Sequence, residues 1–138
     1  MASVELLCRG EQHPVNEDFV VKRVTDVESF HAEVDALRLL RNNHRNVVCL
    51  IAEVGNVREG SFYMLMSPLA HCNLDNLPAD VADDTETMQV MLTHLVDGVH
   101  YMHRKGIVHG TNIMPSNVVY SVNELDQRKF VLIDFACV

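Results

Sequence analysis

Lys22 stands in an apolar, β-branched run from Phe19 to Val24. An ammonium there either lies along its stem and reaches water or turns inward. If it turns inward it needs a partner, because a buried charge left unpaired is costly. Glu33, eleven residues on, lies beside the apolar stripe of the next amphipathic segment and is the natural partner. Asp134 follows four apolar residues, an unusual place for a bare carboxylate unless it makes a turn or does chemistry. Asn117 closes the stretch Gly106-Ile107-Val108-His109-Gly110-Thr111-Asn112-Ile113-Met114-Pro115-Ser116-Asn117. Asp134 and Asn117 both carry oxygen donors of the hard kind. Within that stretch neither Thr111 nor Asn112 has a carboxylate, and an amide of similar shape takes up no proton at neutral pH.

These groups depend on the elements that carry them. Val4 to Cys8 alternates weakly as a short strand, and Arg9 to Glu17, with Gly10 and Pro14, reads as a turn. Phe19 to Val24 fits a strand. Thr25 and Glu28 form a T-x-x-E capping box that starts a helix near Asp26, with Phe30, Val34, Leu37 and Leu40 on its apolar side. Val47 to Val54 and Ser61 to Met66 form a hairpin around a turn from Gly55 to Gly60. Asn73 to Asp84 is a loop or short helix. Met88, Met91, Leu92, Leu95, Val96, Val99 and Met102 then trace one face of a long helix over 86–104. Acidic residues favour its start, and Arg104, Lys105 and Gly106 its end. Strands at Val118 to Val122 and Phe130 to Ile133 complete the chain.

In order along the chain, six segments resemble protein kinase motifs. Phe19-Val20-Val21-Lys22 is similar to V-A-I-K, Glu33-Val34-Asp35-Ala36-Leu37 to E-[IV]-x-x-L, and His44-Arg45-Asn46-Val47-Val48 to H-x-N-[IV]-V. Phe62 to Leu69 resembles the strand that enters the hinge, Lys105 to Asn117 the catalytic loop, and Val131 to Ala136 a D-F-G strand with Ala for Gly. The resemblance implies an α+β fold of the protein kinase kind. An antiparallel lobe with its helix C would occupy 1–66, a hinge 67–73 and the first part of a helical lobe 74–138. The activation segment and later helices are expected to be absent, because kinase domains run to about twice this length.

The resemblance also assigns roles. Lys22 would contact the α- and β-phosphates of ATP and Glu33 would orient it. Asp134 and Asn117 would hold Mg2+. The base would lie against Val4 and Val20, behind a gatekeeper at Met66, with backbone bonds to Ser67 and Leu69. The centre of the loop departs from the pattern. It has one residue too many, Thr111 and Asn112 stand where the catalytic Asp belongs, and Met114 replaces the Lys. Losing a positioned base costs ~10²–10⁴ in rate. A pseudokinase or kinase fragment with at most weak ATP binding and a regulatory or scaffolding role is the expectation. The alternatives are part of an active Ser/Thr kinase and a protein-interaction module that uses no nucleotide. His109-Gly110 and Ile133-Asp134-Phe135 also resemble aminoglycoside-kinase motifs, though the other segments favour protein kinases.

Composition sets outer bounds. With 19 acidic and 11 basic residues the net charge is −8, which argues against a nucleic-acid partner. There is no run of 18 apolar residues for a membrane span and no secretory signal. Cys8, Cys49, Cys72 and Cys137 include no C-x-x-C pair, so reduced thiols in the cytoplasm or nucleus are expected. His94, His100 and His103 lack the accompanying ligands of a zinc site. The apolar face of helix 86–104 is the expected surface for a protein partner or self-association.

Overall fold

The computed structural model describes residues 2–6, 19–40, 44–56, 58–67, 70–108, 113–122 and 125–135, with only the backbone for 2–6. Seven strands and three α-helices follow one another here. They are β1 (Ala2–Leu6), β2 (Val20–Val24), α1 (Val27–Leu39), β3 (Cys49–Asn56), β4 (Ser61–Ser67), β5 (Cys72–Asn73), α2 (Ala79–Ala82), α3 (Thr85–Arg104), β6 (Val118–Val122) and β7 (Arg128–Leu132). Short 3-10 turns at Leu74–Asn76 and Pro115–Asn117 precede α2 and β6. The fold is α+β, as the motifs imply.

Two antiparallel sheets organise the strands. The first has the order β1-β2-β4-β3 and the second β5-β6-β7. In the first sheet Lys22 lies opposite Met64 on one side and Val4 on the other, while Val20 faces Met66. β3 and β4 form the expected hairpin, in which the Asn56 side chain accepts the Arg58 and Glu59 amides and Gly60 takes φ 63°. That left-handed conformation suits a residue without Cβ.

β3 begins later than the apolar run suggests. Val47 and Val48 leave the hairpin and join the other sheet. Val47 makes a parallel bridge to Leu132, and the Val48 amide donates to Leu132 O at 2.9 Å. The Leu132 amide donates in turn to Asn46 O at 2.8 Å. Asn46 is fully buried, and its Nδ2 donates to Phe130 O at 2.9 Å. The H-x-N-V-V segment is thus the seam between the sheets. One continuous core spans it, from Phe30, Phe62 and Met64 through Met102 to Phe130, Leu132 and Phe135.

The helix starts follow local chemistry. Asp26, one residue beyond Thr25, is the N-cap of α1, and its carboxylate accepts the Ser29 amide at 3.2 Å and the Ser29 hydroxyl at 2.6 Å. A carboxylate here also sits at the positive end of the helix dipole, which favours Asp over Thr. Asp84 caps α3 in the same way through Thr87. These hydrogen bonds hold both carboxyls below the usual carboxylate range, the Ser29 and Thr87 hydroxyls contributing most.

The buried face of α3 differs from the expected stripe. Thr87, His94, Gly98, Tyr101 and Met102 are buried, whereas Leu92 and Val96 are 60% and 66% exposed. Met88, Met91, Leu95 and Val99 are half-buried along the flanks. The helix is turned so that polar and small residues meet β7. Thr87 and His94 find hydrogen-bond partners there, and Gly98 lets the backbone of Asn46 approach. A hydropathy stripe leaves out such residues because it scores them by transfer energy and not by their partners.

Candidate functional site

Lys22 turns inward. Alternation along β2 buries Lys22 and Val24, and Lys22 keeps only 8% of its surface exposed. Its Nζ donates to Glu33 Oε1 at 3.0 Å and Oε2 at 2.8 Å. Glu33 is buried on the inner face of α1 together with Phe30, Val34 and Leu37. A buried ion pair survives only with good geometry, because desolvation opposes the Coulomb gain. Two short bonds to one carboxylate meet that condition.

A third charge completes the cluster. Asp134 Oδ1 lies 3.5 Å from Lys22 Nζ, and its side chain is 41% exposed, so this carboxylate faces the open side of the pair. Asp134 adopts φ 65°, which a residue with a Cβ rarely takes. Its neighbours hold it there. Phe135 is fully buried, and the Ile133 amide donates to Asn117 O at 3.0 Å. Strain at a charged residue beside a buried cation is an observation that points toward function.

The same bond brings Asn117 to the site. Asn117 ends the 3-10 turn Pro115–Asn117, which starts β6 beside β7. Proline at the head of that turn has its φ preset. The extra residue in the preceding loop does not separate Asn117 from the end of β7. Met114 caps the turn in extended conformation and is 48% exposed, so a thioether stands where a cation was expected.

Val20 and Met66 are cross-strand partners, and Met66 and Ser67 are both buried at the end of β4. Val4 takes part through its backbone, opposite Lys22. Leu69, Thr111 and Asn112 lie outside the described residues, as do His109 and Ala136. Lys22, Glu33 and Asp134 are thereby brought into one cluster, Asn117 is hydrogen-bonded to Ile133 next to Asp134, and Val20 and Met66 pair two residues along the strands from Lys22 and Met64. Sequence reasoning passed over Asn46 and His94 as structural anchors. Asn46 had a signal, a polar side chain inside the H-x-N-[IV]-V segment, whereas His94 lay off the expected apolar stripe and had none.

A donor set of one carboxylate and one amide fits a magnesium ion that is shared with a ligand. Mg2+ is bound through one or two carboxylates plus phosphate oxygens more often than in an all-protein cage. Among the described residues no group of three or more His, Cys, Asp or Glu side chains could hold a metal alone. Nor, among those residues, is any helix long and apolar enough to cross a membrane.

A sheet that delivers a buried lysine, a helix that meets it with a glutamate and a strand end that adds an aspartate define the kinase class of α+β folds. A family model described as the protein kinase domain matches residues 12–138, and the chain belongs to that family. Among the relatives, the serine/threonine-protein kinase STK11 of Rattus norvegicus is 32% identical over 124 residues, covering 86% of this chain and 27% of the relative. Mitogen-activated protein kinase 4 of Oryza sativa subsp. japonica is 28% identical over 131 residues, covering 86% and 34%. Cyclin-dependent kinase 12 of Drosophila melanogaster is 27% identical over 141 residues, covering 92% and 12%. The chain therefore spans about a quarter of the length of the STK11 relative. Kinase domains of this family generally use ATP and Mg2+.

Proposed function

We propose that this chain is a protein-kinase-like domain that binds ATP weakly together with Mg2+ and works as a regulatory or scaffolding element, without phosphoryl transfer of its own. The observation that carries the reading is Lys22, buried and held by both oxygens of Glu33, with the half-exposed Asp134 3.5 Å away. An ammonium oriented in this way offers its remaining side to phosphate oxygens. Asp134 and Asn117 would hold Mg2+, which when bound bridges and neutralises phosphate oxygens. Val20 and Met66 would flank the base, with Val4 and Leu69 completing the pocket and the backbone of Ser67 reading the base edge.

Catalysis fails on chemistry rather than on binding. Neither Thr111 nor Asn112 can take the proton of an attacking hydroxyl, and Met114 brings no charge to a transferring phosphoryl group. A second reading is favoured by Leu92 and Val96, the exposed apolar pair on α3. It makes the chain an interaction module that joins a protein partner or a second copy and uses no nucleotide.

Thermal unfolding titrated with ATP, with and without Mg2+, separates the two readings. A ligand that binds only the folded state adds RT ln(1 + [L]/Kd), so millimolar Kd values register at millimolar nucleotide. The expected result is a rise in melting temperature that requires Mg2+ and is lost in Asp134→Asn, whose site is half-exposed and should fold. A folded wild type with no shift leaves the interaction module. Phosphate transfer to protein or peptide by the wild type, absent from Asp134→Asn, would overturn the non-catalytic part.

A further inference from the structure

We propose that His94 is an acid-releasable clasp between α3 and β7, a pH-sensitive element built into the strand that presents Asp134. His94 is 94% shielded from solvent on the inner face of α3, where its exposure is 6%. Its Nδ1 accepts the backbone amide of Phe130 in β7 at 3.2 Å, and its Nε2 faces an Arg45 guanidinium nitrogen at 3.2 Å. Its ring also meets the Phe130 ring edge-on, with centroids 6.3 Å apart.

Both neighbours are donors and cannot accept. A neutral imidazole has one acceptor nitrogen, so it can satisfy one of the two, the Phe130 amide at Nδ1 or Arg45 at Nε2. An imidazolium satisfies neither. The charges around it add to the effect. Arg45 and His44 face it from the segment before β3 and Lys129 from β7, all unfavourable to a second positive charge. Asp97, on its own helix, is the one favourable neighbour among these. Burial contributes most, and it holds the ring below the ordinary imidazole value of 6.5.

Protonation at Nδ1 must therefore end the Phe130 bond. Phe130 is held from the other side by Asn46 Nδ2, and β7 runs on through Leu132 to Asp134. Release of the clasp loosens α3 from β7 directly upstream of the candidate site. The sign follows from proton binding. Below pH 6.5 the unfolded chain takes up a proton that the folded ring refuses, so stability falls with acid until the folded ring also titrates.

The test is denaturant unfolding of the whole chain at pH 7.5 and 5.5, wild type beside His94→Gln. Glutamine can accept the Phe130 amide and does not titrate in this range. The unfolding constant of the wild type should rise with acid, by up to about tenfold per pH unit for this one group. His94→Gln should lose that share, and an unchanged pH slope overturns the proposal. His44→Gln is measured in parallel, because burial also holds His44 low and it adds a slope of its own. If His94→Gln does not fold, a proton NMR titration of the wild-type ring decides the question. Titration at or above 6.5 overturns the clasp, and a ring still neutral well below 6.5 supports it.

Discussion

Glu33 is held in the core by two hydrogen bonds from Lys22, which has Asp134 as a further partner on its open side. Glu33 is 1% exposed, so removing its partner strands a carboxylate in the core. Breaking such a pair from one side costs about 3–5 kcal/mol, whereas replacing both members by apolar groups of similar volume is near neutral. Lys22→Met should therefore destabilise the chain by roughly that amount in denaturant unfolding. The double variant Lys22→Met with Glu33→Leu should recover most of the loss while losing any response to nucleotide. A double variant as unstable as the single one would mean that the pair is held by something other than mutual charge. Asp134 differs in kind. It is half-exposed, its carboxylate belongs to the open side of the cluster, and its φ of 65° lies between the buried Phe135 and Ile133, whose amide donates to Asn117 O.

At the scale of elements, α3 tests how far a pattern can be read. Its length, its polar start and its basic end were legible, and Thr85–Arg104 matches the expected 86–104 within a residue. Its rotation was not. The buried line Thr87, His94, Gly98, Tyr101 holds two polar residues and a glycine, whose fit depends on Arg128, Phe130 and Asn46 far along the chain. The Lys22–Glu33 pair was legible mainly through the motif resemblance, since composition alone makes Glu33 a solvated residue beside the apolar stripe. The bridge of Val47 to Leu132 was hidden, since an apolar run looks the same whether it continues a hairpin or changes sheets. Gly98 yields a prediction at this scale. A Cβ there would lie 3.0 Å from Asn46 O and 3.0 Å from Leu132 Cδ1. Alanine would add up to about 1 kcal/mol of helix propensity. Asn46 O is backbone, however, and is fixed by the 2.8 Å bond from the Leu132 amide. Overpacking against a fixed wall costs typically ~1–3 kcal/mol, so Gly98→Ala should be net destabilising. Urea unfolding that shows a gain would mean the seam can give way.

For the molecule as a whole, the two sheets depend on one another through a narrow seam. Asn46, Val47 and Val48 bind Phe130 and Leu132, and the core runs unbroken across the contact. The order in which a ribosome delivers these residues now matters. Asn46 leaves the exit tunnel 84 residues ahead of the carbonyl it must bind. At about 5–20 residues per second, it and its neighbours wait roughly 4–17 seconds for β7. In the later part of that interval β2, α1, β3 and β4 have all emerged, yet β7, which supplies Phe130 and Leu132 to the seam, has not. Ribosome-bound chains stalled with β7 still inside the tunnel should be cut rapidly by protease near the seam, and those stalled with β7 fully emerged should resist. Equal resistance at both lengths would mean the first sheet closes alone. Synthesis of this chain therefore passes through a stage in which most of the candidate-site residues have been made but cannot yet be assembled, and that stage is when chaperones have their opening.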